Sequence, residues 1–174
     1  GINIDNGIAA MALAQVSGGA DQEIRQAMAS FGGVDRRFDF RLKEDKAVFL
    51  TDYAHHPAEI RQSVLSIREL YGDRKIAAIF QPHLYTRTRD FYKEFAESLS
   101  LLDEVILTDI YPAREEPIQG VTSRLIYDNL NAGVKKTLCR KEAVPEQVRR
   151  SDAHVFILLG AGDIETYAPQ ITEI

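Results

Sequence analysis

Apolar and polar positions alternate in blocks along most of the chain, and the blocks predict strands and helices in turn. Continuous apolar runs such as Ile76–Phe80 and Val155–Leu159 are typical of parallel strands that helices cover on both faces. Residues 36–42 alternate instead, which indicates an edge strand paired with the next strand. The pattern predicts strands at about residues 36–42, 46–52, 75–80, 104–109, 134–139 and 154–159. It predicts helices at about residues 57–71, 88–102, 122–130 and 142–150. The predicted fold class is α/β, a Rossmann-like and mostly parallel sheet with helices on both faces.

The start of the chain has a different pattern, typical of a short helical segment. Apolar residues at helical spacing precede Gly18-Gly19, and Asp21 is a suitable cap for a second helix. Two short helices bury little surface, so we expect them to be the tail of a preceding domain or an appendage of the next. Gly32-Gly33 mark the predicted boundary between residues 1–33 and an α/β domain at residues 34–174.

Composition and charge narrow the classes of function. The 174 residues suffice for one domain with a core, and a net charge of −5 argues against a general nucleic-acid or membrane-surface binder. No apolar run reaches the roughly 18 residues of a membrane span, and no secretory leader is expected. Cys139, the single cysteine, is expected to be packed rather than reactive, and the reducing cytoplasm is the expected location. Because the chain begins with Gly1, we expect a fragment of a longer protein.

Polar side chains collect where the predicted strands end. Residues 51–60 place an acid, a phenol and two imidazoles between a strand and a helix that begins at Pro57. Polar loops also follow later strands, at residues 81–90, 111–117 and 160–163. The carboxyl ends of parallel strands share one edge of a sheet, which is where open α/β sheets bind ligands. We therefore expect these loops to converge on one site.

Three of the polar motifs also have a purely structural explanation. His83 is equally well explained as a packed imidazole bonded to the backbone. Arg87 and Arg89 are ordinary near a helix start, although a guanidinium there also suits a carboxylate or a phosphate. Gly160-Ala161-Gly162 has only part of a dinucleotide-binding pattern and is more often a tight turn.

Metal and phosphate-loop chemistry receive little support from the sequence. A metal held by Asp52, His55 and His56 is disfavoured, because adjacent histidines point apart at a strand-to-helix turn and no other ligands complete the set. The sequence contains no Gly-x4-Gly-Lys-Ser/Thr loop, so it has no recognisable cradle for ATP phosphates.

Several longer segments resemble the C-terminal part of the Mur ligases, which build the peptidoglycan precursor. The most specific motifs are D-x-A-H-H-P at residues 52–57 and Q-P-H-x-Y-T-R-T-R at residues 81–89. Within the family, the second motif favours the branch that adds L-alanine over the recycling branch that adds a whole peptide. The resemblance runs in order along the chain through GINIDNGIAA (1–10), FGGVDRRFDF (31–40), TDYAHHPAEI (51–60), FQPHLYTRTRDFYKEF (80–95), DIYPAREEPIQGVTS (109–123) and LLGAGDI (158–164).

The resemblance implies a cytoplasmic, ATP- and magnesium-dependent ligase that joins L-alanine to UDP-N-acetylmuramate through an acyl phosphate. Members of the family have three domains, and this chain is expected to be the third with the last helices of the second. Its partners would be the N-terminal and central domains of the same chain, and ATP and Mg²⁺ would bind mainly to the central domain. A third domain that closes over the site on a hinge near Gly32-Gly33 would shield the acyl phosphate from water. The fragment alone is expected to be inactive.

The resemblance also implies residues that meet the nucleotide. Asn3 and Asn6 match a pair near the adenine, where an amide can meet a donor and an acceptor together. Arg37 and Asp52 match residues that reach the nucleotide across the domain gap, the cation towards phosphate and the acid towards ribose. No metal ligand is expected within this chain.

A second group matches the pocket for the incoming amino acid, namely Tyr53, His55, His83 and Arg87. Arg87 suits the carboxylate of the amino acid, and His55 is a candidate base for its amine because imidazole titrates near neutral pH. The expected catalytic residues are His55, Asp52 and Arg37. Two positions depart from the family, since Leu84 stands where some members have an arginine and Glu165 where a small residue is common.

Two further functions from other classes remain open at this stage. One is a non-catalytic nucleotide-binding module of the Rossmann type, which the incomplete glycine pattern at residues 160–162 does not favour. The other is a metal phosphoesterase that uses Asp52 and the neighbouring histidines.

Overall fold

The chain divides into two compact units, Gly1–Val34 and Asp35–Ile174. The structure, a computed structural model, describes the backbone of residues 2–173 and the side chains of residues 6–173. Within these residues, no helix combines the length and the apolar composition that crossing a membrane would need.

The smaller unit consists of two helices, α1 (Ile2–Val16) and α2 (Asp21–Ser30). Gly18 at the end of α1 has a φ of 89°, a left-handed conformation that glycine adopts at no steric cost. Ahead of α2, the Glu23 carboxylate accepts a hydrogen bond from the backbone N–H of Ala20, which satisfies a donor at the helix start. The predicted helical segment with its Gly-Gly turn is therefore confirmed.

The larger unit is built on a six-stranded sheet with the strand order β1-β2-β6-β3-β4-β5. Only the edge pair β1 and β2 is antiparallel, and the other neighbours are parallel. The strands are β1 (Asp39–Lys43), β2 (Val48–Asp52), β3 (Ile76–Phe80), β4 (Glu104–Leu107), β5 (Lys135–Leu138) and β6 (Val155–Leu159).

Helices cover both faces of this sheet, as the continuous apolar strands predict. Alternate side chains of β3 explain why, since Ile76, Ala78 and Phe80 join one core cluster while Ala77 and Ile79 join the other. The first cluster packs under α3 (Pro57–Tyr71), α4 (Tyr85–Leu99) and α5 (Arg124–Asn129). The second packs under α6 (Val144–Arg150) and α7 (Ala168–Thr172). The predicted Rossmann-like α/β fold class is confirmed.

Some predicted boundaries were wrong, for reasons of backbone geometry. The strand predicted at residues 36–42 begins only at Asp39, because Arg36 and Phe38 have φ values of 61° and 51°, which a strand cannot accommodate. The helix predicted at residues 88–102 spans Tyr85–Leu99, since the polar residues of its first turn lie outside the apolar stripe that the pattern detects. The helical turns after β6, at Ile164–Tyr167 and in α7, were not predicted.

Candidate functional site

The predicted convergence of loops takes place at the carboxyl ends of β2, β6, β3 and β4. β6 lies between β2 and β3, yet His55 after β2 and His83 after β3 approach to 5.8 Å between ring centroids. The loop that follows β6 consists of the small residues Gly160, Ala161 and Gly162. A Cβ atom at Gly160 would lie 3.0 Å from the carbonyl oxygen of Gln81, and its φ is 146°. A residue larger than glycine is therefore disfavoured at position 160, between the loops after β2 and β3 that carry His55 and His83.

The tautomer of His55 follows from its hydrogen bond. Its Nδ1 lies 2.9 Å from the carbonyl oxygen of Tyr53, and because a carbonyl oxygen can only accept, Nδ1 carries the proton. In the neutral ring this leaves the lone pair on Nε2, where a base needs it. Nδ1 also lies 3.6 Å from the carboxylate of Glu59, which would stabilise the imidazolium once His55 has taken up a proton.

Glu59 anchors the turn that carries both histidines. Its carboxylate accepts hydrogen bonds from the backbone N–H groups of His55 at 3.0 Å and His56 at 3.2 Å, in the first turn of α3. Burial alone would raise the pKa of Glu59, but these hydrogen bonds and the nearby cations hold it below its usual range. The acid therefore stays ionised and caps the helix while it faces the His55 ring.

His83 is held as a neutral acceptor by its neighbour on α4. A guanidinium N–H of Arg87 lies 3.3 Å from Nδ1 of His83, and since arginine can only donate, Nδ1 is unprotonated. Burial lowers the pKa of His83, and the positive charges of Arg87 and His55 lower it further. The site thus presents a neutral imidazole beside a permanent cation at neutral pH.

The first turn of α4, which carries Arg87, is capped by a residue from another loop. The carboxylate of Glu115, after β4, accepts hydrogen bonds from the backbone N–H of Thr86 at 3.0 Å and from its hydroxyl at 2.5 Å. The hydrogen bonds from Thr86 hold the pKa of Glu115 below its usual range. Leu84 precedes the helix with a φ of 73°, and its N–H donates to the carbonyl oxygen of Tyr111 at 2.9 Å. The start of α4 is therefore fixed by the loop that follows β4.

Asp52 and Arg37 lie at the other side of the site. Burial raises the pKa of Asp52, and this is opposed by a 2.5 Å hydrogen bond from the Ser63 hydroxyl, by the backbone of Ala54 and Phe38 and by the charge of Arg37. Arg37 is exposed, and its guanidinium carbon lies 5.5 Å from the centre of the Tyr53 ring. Asp52 is therefore already engaged by internal donors, while Arg37 presents its charge to solvent.

Two other predicted site residues, Asn3 and Asn6, belong to α1 in the smaller unit. Asn6 is an exposed residue of α1, in the smaller unit, and the side chain of Asn3 lies outside the described residues. The ring of His56 packs 5.1 Å from that of Phe91, so the adjacent histidines do point apart. Among residues 6–173, no three His, Cys, Asp or Glu side chains come close enough together to hold a metal ion.

The residue that departs from the family after the glycine turn, Glu165, forms ion pairs. It contacts the guanidinium groups of Arg36 and Arg41, in the latter case at 2.9 Å. Arg36 in turn donates to the carbonyl oxygen of Gly162 at 3.4 Å and lies 4.6 Å over the Tyr53 ring. Glu165 therefore stabilises the turn next to Arg37.

Sequence reasoning missed the residues that hold the site together. Gln81 is almost fully buried and donates to the carboxylate of Asp163 at 2.9 Å, while its side-chain oxygen accepts from the backbone N–H of Ile164 at 3.1 Å. Tyr111 stacks on His83 with 5.6 Å between ring centroids. Gln81 follows β3 directly and Tyr111 lies four residues beyond the end of β4, both in the loops expected to converge, which is the feature that could have identified them.

Fold and site together define a Rossmann-like α/β domain in which imidazoles and guanidinium groups gather at the carboxyl edge of a parallel sheet, the edge where open α/β sheets bind ligands. The family model described as "Mur ligase, glutamate ligase domain" matches residues 36–162. The chain belongs to the Mur ligase family.

Two relatives found by sequence carry the same name. The chain is 68% identical over 170 residues to a UDP-N-acetylmuramate–L-alanine ligase of Phocaeicola vulgatus, and the match covers 98% of this chain and 37% of that protein. It is 55% identical over 173 residues to the ligase of the same name in Parabacteroides distasonis, covering 99% of this chain and again 37% of the relative. The chain thus spans little more than a third of the length of these relatives.

Solved structures agree on the fold. The UDP-N-acetylmuramate–alanine ligase of Thermotoga maritima matches with a TM-score of 0.77 and 30% identity, over 98% of this chain and 37% of that one. A murein peptide ligase of Psychrobacter arcticus matches with a TM-score of 0.70 over 98% of this chain and 36% of that one. At 18% identity, this second likeness shows the fold alone.

Proposed function

We propose that this chain is the C-terminal part of an ATP-dependent ligase that joins L-alanine to UDP-N-acetylmuramate in the cytoplasm. The observation that carries the proposal is the meeting of His55, His83 and Arg87, from two different strand ends, in a chain 68% identical to such a ligase. Residues 1–33 would belong to the central domain, and ATP and Mg²⁺ would bind mainly there.

Two kinds of contact bind the amino acid in this proposal, an ion pair to its carboxylate and a hydrogen bond from its amino group to a ring nitrogen. The guanidinium of Arg87 pairs with the α-carboxylate of L-alanine, which suits its planar geometry. Nε2 of His55, whose proton lies on Nδ1, accepts a hydrogen bond from the amino group. His83 accepts from Arg87 through Nδ1, so its proton lies on Nε2 and can be donated to the carboxylate. Tyr53 completes this pocket, its ring 5.4 Å from that of His55.

His55 then serves as the base. Its Nε2 takes one proton from the ammonium group, the lone pair set free attacks the activated muramate carbonyl, and Glu59 stabilises the imidazolium that results. The second proton of the nitrogen leaves with the departing phosphate. The C–N bond forms, and the C–O bond to phosphate breaks. ATP supplies the phosphoryl group that makes this carboxylate reactive. Arg37, exposed at the edge of the site, is the residue of this chain suited to a nucleotide phosphate.

Asp52 has a more indirect part in this proposal. It was expected to meet the ribose, and its carboxylate is engaged by Ser63 and by the backbone next to Arg37. Asp52 therefore holds the turn that presents Arg37, and one of its oxygens can still accept from a hydroxyl. Asn3 and Asn6 keep their proposed role near the adenine.

The experiment is a full-length chimera in which this chain replaces the corresponding 37% of the Phocaeicola vulgatus ligase. ATP-dependent phosphate release is measured with UDP-N-acetylmuramate and L-alanine, glycine or L-serine, for the chimera and for the isolated chain. We expect a preference for L-alanine in the chimera and no turnover by the isolated chain. A chimera that joins a free peptide to UDP-N-acetylmuramate and does not use L-alanine would favour the recycling branch, and activity of the isolated chain would refute the division between domains.

The role of His55 is tested in the same chimera with its neighbour as control. His55→Ala should lower kcat by about 100-fold or more, the usual contribution of a general base. His56→Ala, whose ring packs on Phe91, should have little effect. Unchanged turnover in the His55 variant would remove it as the base.

A further inference from the structure

Tyr111 occupies a fixed position beside His83 that the proposed mechanism does not use. It follows β4, and its backbone N–H donates to the carbonyl oxygen of Pro82 at 2.8 Å. Its own carbonyl oxygen accepts from the N–H of Leu84 at 2.9 Å, and the two segments form a short parallel bridge between His83 and Tyr111. The place of Tyr111 relative to His83 is therefore set by the backbone, not by side-chain packing alone.

With Tyr111 included, the edge of the site carries a row of four rings. Successive centroids are 5.4 Å apart from Tyr53 to His55, 5.8 Å from His55 to His83 and 5.6 Å from His83 to Tyr111. The last pair is stacked, with an angle of 25° between the ring planes. Tyr111 therefore ends the row on the side of β4 and bounds the pocket proposed for the amino acid.

Beyond this ring lies a polar cleft. Its volume is about 200 Å³, which is larger than an engineered cavity of about 150 Å³ that admits benzene. Tyr111 lines this cleft and its ring stacks on His83, which is not among the lining residues. The other lining residues are Gln81, Asp109, Ile110, Pro112, Lys141, Glu142 and Asp163.

The Cβ and Cγ atoms of Tyr111 pack against the loop after β6. A Cβ atom added at Gly162 would lie 2.7 Å from Cγ and 2.9 Å from Cβ of Tyr111, so the two residues already touch. The loop itself is held by Gln81 through the backbone of Ile164 and the carboxylate of Asp163. The Tyr111 side chain cannot move towards Gly162 unless Gln81 and the loop after β6 move with it.

We propose that Tyr111 determines the specificity for the amino acid by separating the pocket of His55, His83 and Arg87 from the polar cleft. The ring limits the space beside His83 to a small side chain, and without it the pocket and the cleft would be continuous. Because Gln81, Asp109, Lys141 and Asp163 line the cleft, a larger polar side chain would gain more from the opening than an apolar one of equal size. This inference rests on the proposed function and names the residue that sets its substrate range.

The test measures selectivity in the full-length chimera with L-alanine, L-glutamine and L-leucine. In the Tyr111→Ala variant, the ratio of kcat/KM for L-glutamine to that for L-alanine should rise at least about tenfold. This is the lower end of the discrimination that a pocket achieves against one extra methylene group. L-Leucine, similar in size but apolar, should gain less. A ratio for L-glutamine within about twofold of that of the parent would overturn the proposal.

Matched variants distinguish the steric role of the Tyr111 ring from an unspecific loss of structure. Tyr111→Phe keeps the ring and should keep the parent selectivity, and a loss as large as in Tyr111→Ala would refute a steric role. Tyr127→Ala removes a half-buried tyrosine on α5 and should leave selectivity unchanged. Should Tyr111→Ala fail to fold, Tyr111→Leu offers the same test with a smaller opening. A parent chimera that forms no product with L-alanine would refute the proposed function, whereas an active parent with unaltered variants would refute only the role of Tyr111.

Discussion

The contact between Gly162 and its neighbours makes a sharp prediction for stability. In the variant Gly162→Ala, the new Cβ would lie 2.2 Å from Oε1 of Gln81 and 2.7 Å from Cγ of Tyr111. Overpacking of this kind costs about 1–3 kcal/mol. If Gln81 moves to make room, the buried N–H of Ile164 loses its acceptor, which costs about 1–3 kcal/mol. We expect the free energy of unfolding to fall by about 2–4 kcal/mol, since the structure can relieve part of both effects.

Urea denaturation of the 174-residue chain measures this loss, and a thermal scan should show a Tm lower by on the order of 10 °C. Gly133→Ala is the matched control, because a Cβ there meets nothing within 4 Å. At that position we expect no loss, or a gain of up to about 1 kcal/mol from a less flexible unfolded chain. A loss below about 0.5 kcal/mol in Gly162→Ala, as for an ordinary surface change, would refute the close packing of Gly162.

Three further predictions concern the two loops that hold Arg87. Glu115→Gln should increase amide hydrogen exchange in the first turn of α4, because a neutral cap binds the helix start less strongly, whereas Glu116→Gln should not. In the chimera, Arg87→Lys should raise KM for L-alanine about tenfold, the equivalent of one lost hydrogen bond to a charged group, while Arg89→Lys should not. Because the pKa of His83 lies below its ordinary value, the unfolded chain binds more protons below about pH 6.5, so stability falls as the pH is lowered from 7 to 5. Urea denaturation across this range should show a weaker pH dependence in His83→Gln.

Much of the fold could be predicted because burial on both faces leaves a direct trace in the sequence. Ile76–Phe80 is buried along its whole length, and so is Val155–Leu159, which is why both appear as unbroken apolar runs. The pattern says nothing about neighbours, however. The position of β6 between β2 and β3 depends on how the helices pack on the two faces of the sheet, and the sequence of β6 contains no signal for it.

For the site as well, some features could be predicted from the sequence and others could not. The convergence of His55, His83 and Arg87 could be predicted from the rule that parallel strands deliver their loops to one edge. The tautomer of His55 could not, because it depends on the carbonyl oxygen of Tyr53, and any residue would supply that group. The cap that Glu115 provides to α4 was missed for a similar reason, since a helix capped from a distant loop leaves no local motif.

The acids at this edge explain what the site can bind. Glu59 and Glu115 are held by backbone N–H groups at the starts of α3 and α4, and Asp163 pairs with Lys141 and Gln81. Asp52 accepts from Ser63 at the end of β2. All four carboxylates hold loops of this edge, whereas the imidazoles and guanidinium groups described above make the contacts proposed for the amino acid. In the proposed function, such an edge attracts the carboxylate of the amino acid and leaves its amine beside Nε2 of His55, the combination that amide formation from an activated acid requires.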